Sequence, residues 1–257
     1  MYPVLIQLGS FQLRTYGLIV ALSFLLGLWL SMREAKRKGL DPTLVQDFAF
    51  YAFLGGLVGA RLYYVFISQP EYFLRNPWEI LAIWHGGLGI LGALAGGFLT
   101  ALWYCRKHKL SLRQLADVLA PGIIAGQALG ILGCLATGDS HGRPTDLAWA
   151  ITYTDPRAMA PLGVPLHPVE LYEMAAYLLV FLLVWSTRVR NRTAGLTFLT
   201  YLAGYGAARF VVEFFRGHPA TFGPGLPAAQ VFGLALAGVA IAAALFIIRS
   251  TPKQRRI

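Results

Sequence analysis

The chain has 257 residues, of which 56% are hydrophobic and only 13% charged. A soluble domain carries about 25% charged residues, so this chain has too little polar surface for a water-soluble globule and too much apolar content for disorder. Its net charge of +10 raises the question of an anionic partner, and the answer depends on where the cations sit.

A membrane span needs roughly 17–25 mostly apolar residues. Seven candidates follow in chain order, the fifth of them short: Tyr16–Met32, Phe48–Ile67, Gly86–Cys105, Leu115–Leu135, Leu171–Trp185, Leu196–Phe215 and Ala228–Ile248. They lack the alternation of barrel strands, and backbone in lipid must satisfy itself within a helix. The expectation is an all-α, polytopic membrane protein forming one membrane domain over residues 1–257. The first span has no basic stretch before it and Arg33, Lys36, Arg37 and Lys38 directly after it. It therefore reads as a retained span, not a cleaved signal peptide.

Basic residues favour the cytoplasmic side. With the N-terminus outside, the cytoplasmic segments hold Arg33, Lys36, Arg37 and Lys38, then Arg106, Lys107, Lys109 and Arg113. The later two hold Arg188, Arg190 and Arg192, then Arg249, Lys253, Arg255 and Arg256. Fifteen of the 22 Lys and Arg residues thus follow one topology, with the C-terminus inside. The positive balance becomes a membrane-orientation signal and no nucleic-acid partner is expected. The other seven are all arginines: Arg14, Arg61, Arg75, Arg143, Arg157, Arg209 and Arg216. Arginine is the better side chain for bidentate binding of phosphate or carboxylate.

The longest stretch between spans, about residues 137–170, contains Gly142 and five prolines. Its apolar residues predict an ordered, irregular loop. Gly92 and Gly96, and Gly122, Gly126 and Gly130, have the spacing that lets helices approach closely.

Charged side chains at membrane depth are costly and mark functional candidates. Arg61 lies in the second span. Arg209 and Glu213 lie four residues apart in the sixth, on one helix face. They read either as a self-neutralising pair or as an anion site in which Glu213 holds Arg209. His85, before Gly86 and Gly87, reads either as a helix-start residue or as a general base. Two motifs lack their required context. Gly87–Gly92 matches a nucleotide fingerprint, but in a membrane helix. Gly138–Asp139–Ser140–His141–Gly142 matches a nucleophile elbow without its strand and helix. A serine hydrolase using Ser140, with His85 or His167 as base, is the third-ranked reading. Cys105 and Cys134 read as small apolar residues; no metal site or cofactor is expected.

Arg14–Tyr16–Gly17, Gly59–Ala60–Arg61–Leu62–Tyr63–Tyr64, His85–Gly86–Gly87–Leu88–Gly89, His167–Pro168 through Tyr172–Glu173, and Arg209 through Glu213 to Arg216 follow one another along the chain. This ordered set resembles the bacterial phosphatidylglycerol–prolipoprotein diacylglyceryl transferases. The resemblance implies seven spans, an inner-membrane location and an active site towards the outer side. It implies transfer of a diacylglyceryl group from phosphatidylglycerol to the lipobox cysteine in a prolipoprotein signal peptide, with release of glycerol phosphate. It matches His85 to the catalytic base, Tyr16 to an essential tyrosine near the headgroup, and Arg209 with Glu213 to the phosphate site. Arg143, Arg61, Gly142, Gly86 and Gly87 join the expected substrate-binding set. The family signature in the fourth span reads roughly GRxGN. Here it is Gly130–Ile131–Leu132–Gly133–Cys134, so Ile131 replaces an arginine and Cys134 an asparagine. Arg143 or Arg61 would then supply the missing charge. The rival reading is a lipid-binding or transport paralogue without transferase activity.

Overall fold

A computed structural model describes residues 4–8, 11–190, 193–217 and 227–250. Arg192, Lys253, Arg255 and Arg256 of the orientation argument lie outside the described residues. The described chain is mostly helical. Its long helices are α1 (Thr15–Arg37), α2 (Pro42–Tyr63), α4 (Ile90–Lys107), α5 (Leu112–Thr137), α6 (Val169–Thr187), α7 (Leu196–Val212) and α8 (Ala228–Ser250). A short α3 (Pro70–Arg75) lies between α2 and α4.

Five of these are long and apolar enough to cross a membrane: α1, α2 with its extension to Ser68, α5, α6 and α8. The other two coincide with the third and sixth expected spans but are leaner. Arg106 and Lys107 fall within the 18 residues of α4, and α7 stops after 17 residues, where Glu213–Phe215 tightens into a 3₁₀ turn. The third expected span began at Gly86, but the helix begins at Ile90. Gly86 (φ 85°) and Gly87 (φ 75°) hold left-handed backbone that no helix accommodates. The all-helical expectation also missed two small antiparallel sheets. One pairs β1 (Val4–Leu8) with β2 (Phe11–Arg14), the other β3 (Ile151–Thr152) with β4 (Pro165–Leu166).

The chain divides into two compact units, Ala35–Leu115 and the remainder, Met1–Glu34 with Ala116–Ile257. In the first, α2 packs on α4 through glycines. A Cβ on Gly92 would collide with the Gly59 carbonyl, and one on Gly96 with that of Gly55. The bare backbones meet where side chains would hold them apart. Asp41 caps α2, its carboxylate accepting from the Thr43 N–H at 2.9 Å. That bond, with a second from the Thr43 side chain, holds its carboxyl below the usual range.

In the second unit, Gly122 of α5 faces the Gly27 carbonyl of α1. α5, α6 and α7 bury Ala120, Ile124, Ala128, Tyr177, Val180, Val184, Tyr201 and Ala208 against one another. The start of α7 is fixed from α5. Buried Asp117 accepts from the N–H groups of Gly195 and Phe198, both at 2.9 Å. These are orphan donors of the first turn, supplied here by a side chain far away in sequence.

The segment between α5 and α6 is tied down by backbone. Arg143 donates its N–H to Phe215 (3.0 Å) and accepts from His167 (3.0 Å), while Thr145 donates to Pro165 (3.0 Å). Tyr153, Ala160 and Leu166 form a small buried cluster beneath it.

Candidate active site

In the unit Ala35–Leu115, Arg61 sits on the last turn of α2, just before the chain widens into a π-helical turn, Tyr64–Ser68. Its side chain is buried. Nε donates to the Ile80 carbonyl (3.0 Å), and Nη1 to those of Gly86 (2.6 Å) and Gly87 (3.0 Å). Nη2 donates to Ala82 (3.2 Å) and to Glu79. The guanidinium carbon lies 5.1 Å from the centre of the Phe73 ring. A guanidinium has five N–H donors, and five carbonyls receive them.

The segment folded around Arg61 carries His85. Its imidazole is 61% exposed, and Nδ1 lies 2.9 Å from Glu79 Oε2. With Nδ1–H donated to the carboxylate, Nε2 is left as the proton-accepting nitrogen. A side chain on Gly87 would strike the Tyr64 ring and Arg61 Nη1, so glycine is required there by space as well as by φ.

In the other unit, α6 and the end of α7 bring four charges together. Arg209 Nη1 donates to Glu173 Oε1 (2.9 Å) and Arg216 Nη2 to Glu173 Oε2 (2.7 Å). Glu213 Oε2 lies 3.4 Å from Arg209 and 3.3 Å from Arg216, close but without hydrogen-bond geometry to Arg216 Nε. Tyr177 donates to Glu173 Oε1 at 2.5 Å. The glutamates are buried and each arginine side chain is 18% exposed. Two cations and two anions cancel, and each arginine keeps N–H donors beyond these contacts. The sequence pairing of Arg209 with Glu213 is present, yet Glu173 on another helix holds Arg209 more closely.

Arg143 is exposed, on a strand-like stretch in which Gly142 pairs with Arg216. The backbone of the loop therefore runs beside the end of the arginine cluster. His167 is held among Tyr172 (Nδ1 to Oη 3.4 Å) and Phe215 (ring centres 5.4 Å). Burial first, and the Arg143 charge second, push its pKa below the ordinary value.

Tyr16, at the start of α1, lies over Gly133 of α5. It lines a cavity of about 530 Å³ with Val4, Arg14, Gly17, Thr137, Asp139, Arg157 and Met159. Arg157 in that wall is neutralised by Asp155, 2.8 Å away, and this pairing holds the Asp155 carboxyl at about 2. Ser140 follows the end of α5 in a turn, without the strand of a nucleophile elbow before it. A 3₁₀ turn and not a strand leads into Gly87, so the nucleotide fingerprint also lacks its context. Both cysteines are free. Among the described residues no three His, Cys, Asp or Glu side chains gather as a metal would require.

The family model for prolipoprotein diacylglyceryl transferase matches residues 3–248. The chain belongs to this family. A phosphatidylglycerol–prolipoprotein diacylglyceryl transferase of Synechococcus elongatus is 39% identical over 222 residues, covering 83% of this chain and 76% of the relative. Those of Geobacter sulfurreducens (37% identical, 86% and 84% covered) and Bordetella parapertussis (34% identical, 98% and 97% covered) bear the same name. For a diacylglyceryl transferase chain, the sequence had missed Glu79, Glu173, Arg216 and Tyr177 as neighbours of the expected groups. Glu173 and Arg216 stand inside the family-like motifs, so their charge was the available signal. Glu79 had none, because it and His85 lie on two separate 3₁₀ turns, Pro77–Leu81 and Ile83–His85, which share no common face.

Proposed function

We propose that this chain crosses the inner membrane seven times, N-terminus outside, and transfers a diacylglyceryl group from phosphatidylglycerol to the lipobox cysteine of a prolipoprotein. The family match along residues 3–248 carries this reading. The five apolar helices, and the placing of α4 and α7 at the other two expected spans, support the topology.

The nucleophile belongs to the substrate, so the enzyme must supply a base for the thiol and positive charge for the departing phosphate. In this reading Nε2 of His85 takes the thiol proton, with Glu79 fixing the tautomer. The sulfur attacks the phosphate-bearing carbon of the diacylglyceryl group. A C–S bond forms, the C–O bond breaks, and glycerol phosphate leaves with the electron pair. Arg209 and Arg216 offer N–H donors to that anion, and exposed Arg143 adds charge. Gly86, with open space beside it, leaves room for close approach, Gly87 and Gly142 keep the backbone around the site tightly packed, and Tyr16 lies by the headgroup. The active site faces the outer side.

Rescue of a strain depleted of its own transferase tests the reading, with thioether formation on a lipobox peptide as the direct assay. Failure of both, with the folded protein present in the membrane, overturns it. His85→Ala should lower the rate by about 10²–10⁴-fold, the worth of a general base; full activity removes His85 from that role. Ser140→Ala should be silent.

Ile131 favors a second reading, a lipid-binding paralogue. Ile131→Arg separates the two. A gain of transfer from an inactive parent supports the paralogue, and activity in the parent excludes it.

A further inference from the structure

Arg61 sits on a predicted span, where a charge demands compensation, and no carboxylate among the described residues pairs with it. Compensation comes from the carbonyls of Glu79, Ile80, Ala82, Gly86 and Gly87. These five carbonyls come from one nine-residue stretch. A carbonyl fan of this kind has consequences for backbone shape: it bends residues 79–87 around a single cation. Gly86 and Gly87 take the positive φ values that aim their carbonyls inward, and Gly89 N–H closes the turn on Ala60 at 3.0 Å. Glu79, whose carbonyl is held, is the residue whose carboxylate meets His85.

We propose that Arg61 is a positioning residue: it shapes the Glu79–Gly87 segment that presents His85, and it is not a ligand for the lipid phosphate. The donors that a phosphate would need are already spent. Lysine cannot substitute, because an ammonium has three donors where five carbonyls wait. The proposal rests on the reading of His85 as base for its kinetic consequence, while its structural consequence stands apart from that reading.

The test compares wild type, Arg61→Lys and Gly87→Ala, each purified in lipid nanodiscs. Hydrogen exchange is read at the amides of residues 82–89, and kcat and KM for phosphatidylglycerol are read on a lipobox peptide. Arg61→Lys should speed exchange at Ala82, His85, Gly86 and Gly89 by about tenfold or more, because their hydrogen bonds open locally. It should lower kcat by roughly 100-fold, the scale of a misplaced catalytic group, with KM little changed. Gly87→Ala keeps the charge but drives a Cβ into Arg61 and Tyr64, and should reproduce both effects. Should Arg61→Ala fold, guanidinium ion should restore part of its rate. Unchanged exchange with a raised KM in Arg61→Lys overturns the proposal and returns Arg61 to the phosphate site. If wild type itself transfers nothing, the transferase reading falls, and the exchange data still judge Arg61.

Discussion

Two groups of arginine, one buried and one half-buried, solve one problem in opposite ways. Arg61 gives all five donors to uncharged carbonyls of one short segment. Arg209 and Arg216 are met by two carboxylates from α6 and the α7 end, and each keeps donors in hand. The first arrangement is saturated and shapes backbone. The second is neutral overall yet open, so an incoming anion can share its arginines without any donor having to leave a carbonyl unpaired. Burial of an arginine therefore says little about its task; the inventory of its donors says much more.

The comparison breaks most severely at Glu173, the one carboxylate among the described residues that both Arg209 and Arg216 hydrogen-bond. Glu173→Gln removes the charge while keeping the shape. It leaves two arginines facing Glu213 alone and deprives Tyr177 of its charged acceptor. Removing one partner of a buried ion pair costs about 3–5 kcal/mol. The expected result is a large drop in Tm in detergent with loss of transfer. Glu213→Gln should cost much less, since its contacts are longer and lack hydrogen-bond geometry to Arg216. Equal losses would show that the cluster acts as one unit.

Much of this was legible from sequence because lipid imposes simple rules. Long apolar runs located every long helix to within a few residues at most ends. The i, i+4 relation of Arg209 and Glu213 was visible because it is local. What was not visible is non-local. The late start of α4 depends on Gly86 and Gly87 carbonyls turning to Arg61, 25 and 26 residues earlier. The main partner of Arg209 lies 36 residues away on α6. Periodicity encodes a helix face but not which other helix it meets. The hairpin of β1 and β2 was hidden as well, since two short strands leave no period long enough to read.

Smaller effects sharpen the contrast between backbone-shaping and side-chain contacts. Asp117→Ala strips acceptors from two N–H groups at the start of α7. It should cost about 1–3 kcal/mol for each buried donor left without a partner, read as a lower Tm. Gly92→Ala puts a methyl against the Gly59 carbonyl and Tyr63. Overpacking of this kind costs about 1–3 kcal/mol, whereas Gly97→Ala, with open space around it, should be neutral or slightly stabilising. A penalty at Gly97 equal to that at Gly92 would defeat the close-packing account of α2 and α4.

The smallest expected effect is a pH dependence at His167. Its folded pKa is lowered, first by burial and then by Arg143, with Tyr172 and Phe215 as its other close neighbours. An unfolded histidine titrates near 6.5, so just below that pH the unfolded chain binds more protons than the folded one. Stability is then fully present above about pH 6.5 and falls as pH drops towards the folded value. Tm should therefore decline between pH 7.5 and 5.5, and His167→Gln should flatten part of that decline. Arg143→Gln removes only the lesser cause, so it should flatten the decline less than His167→Gln does. If Arg143→Gln flattens it equally, charge and not burial governs His167, and the ring is wetter in solution than its packing against Phe215 implies.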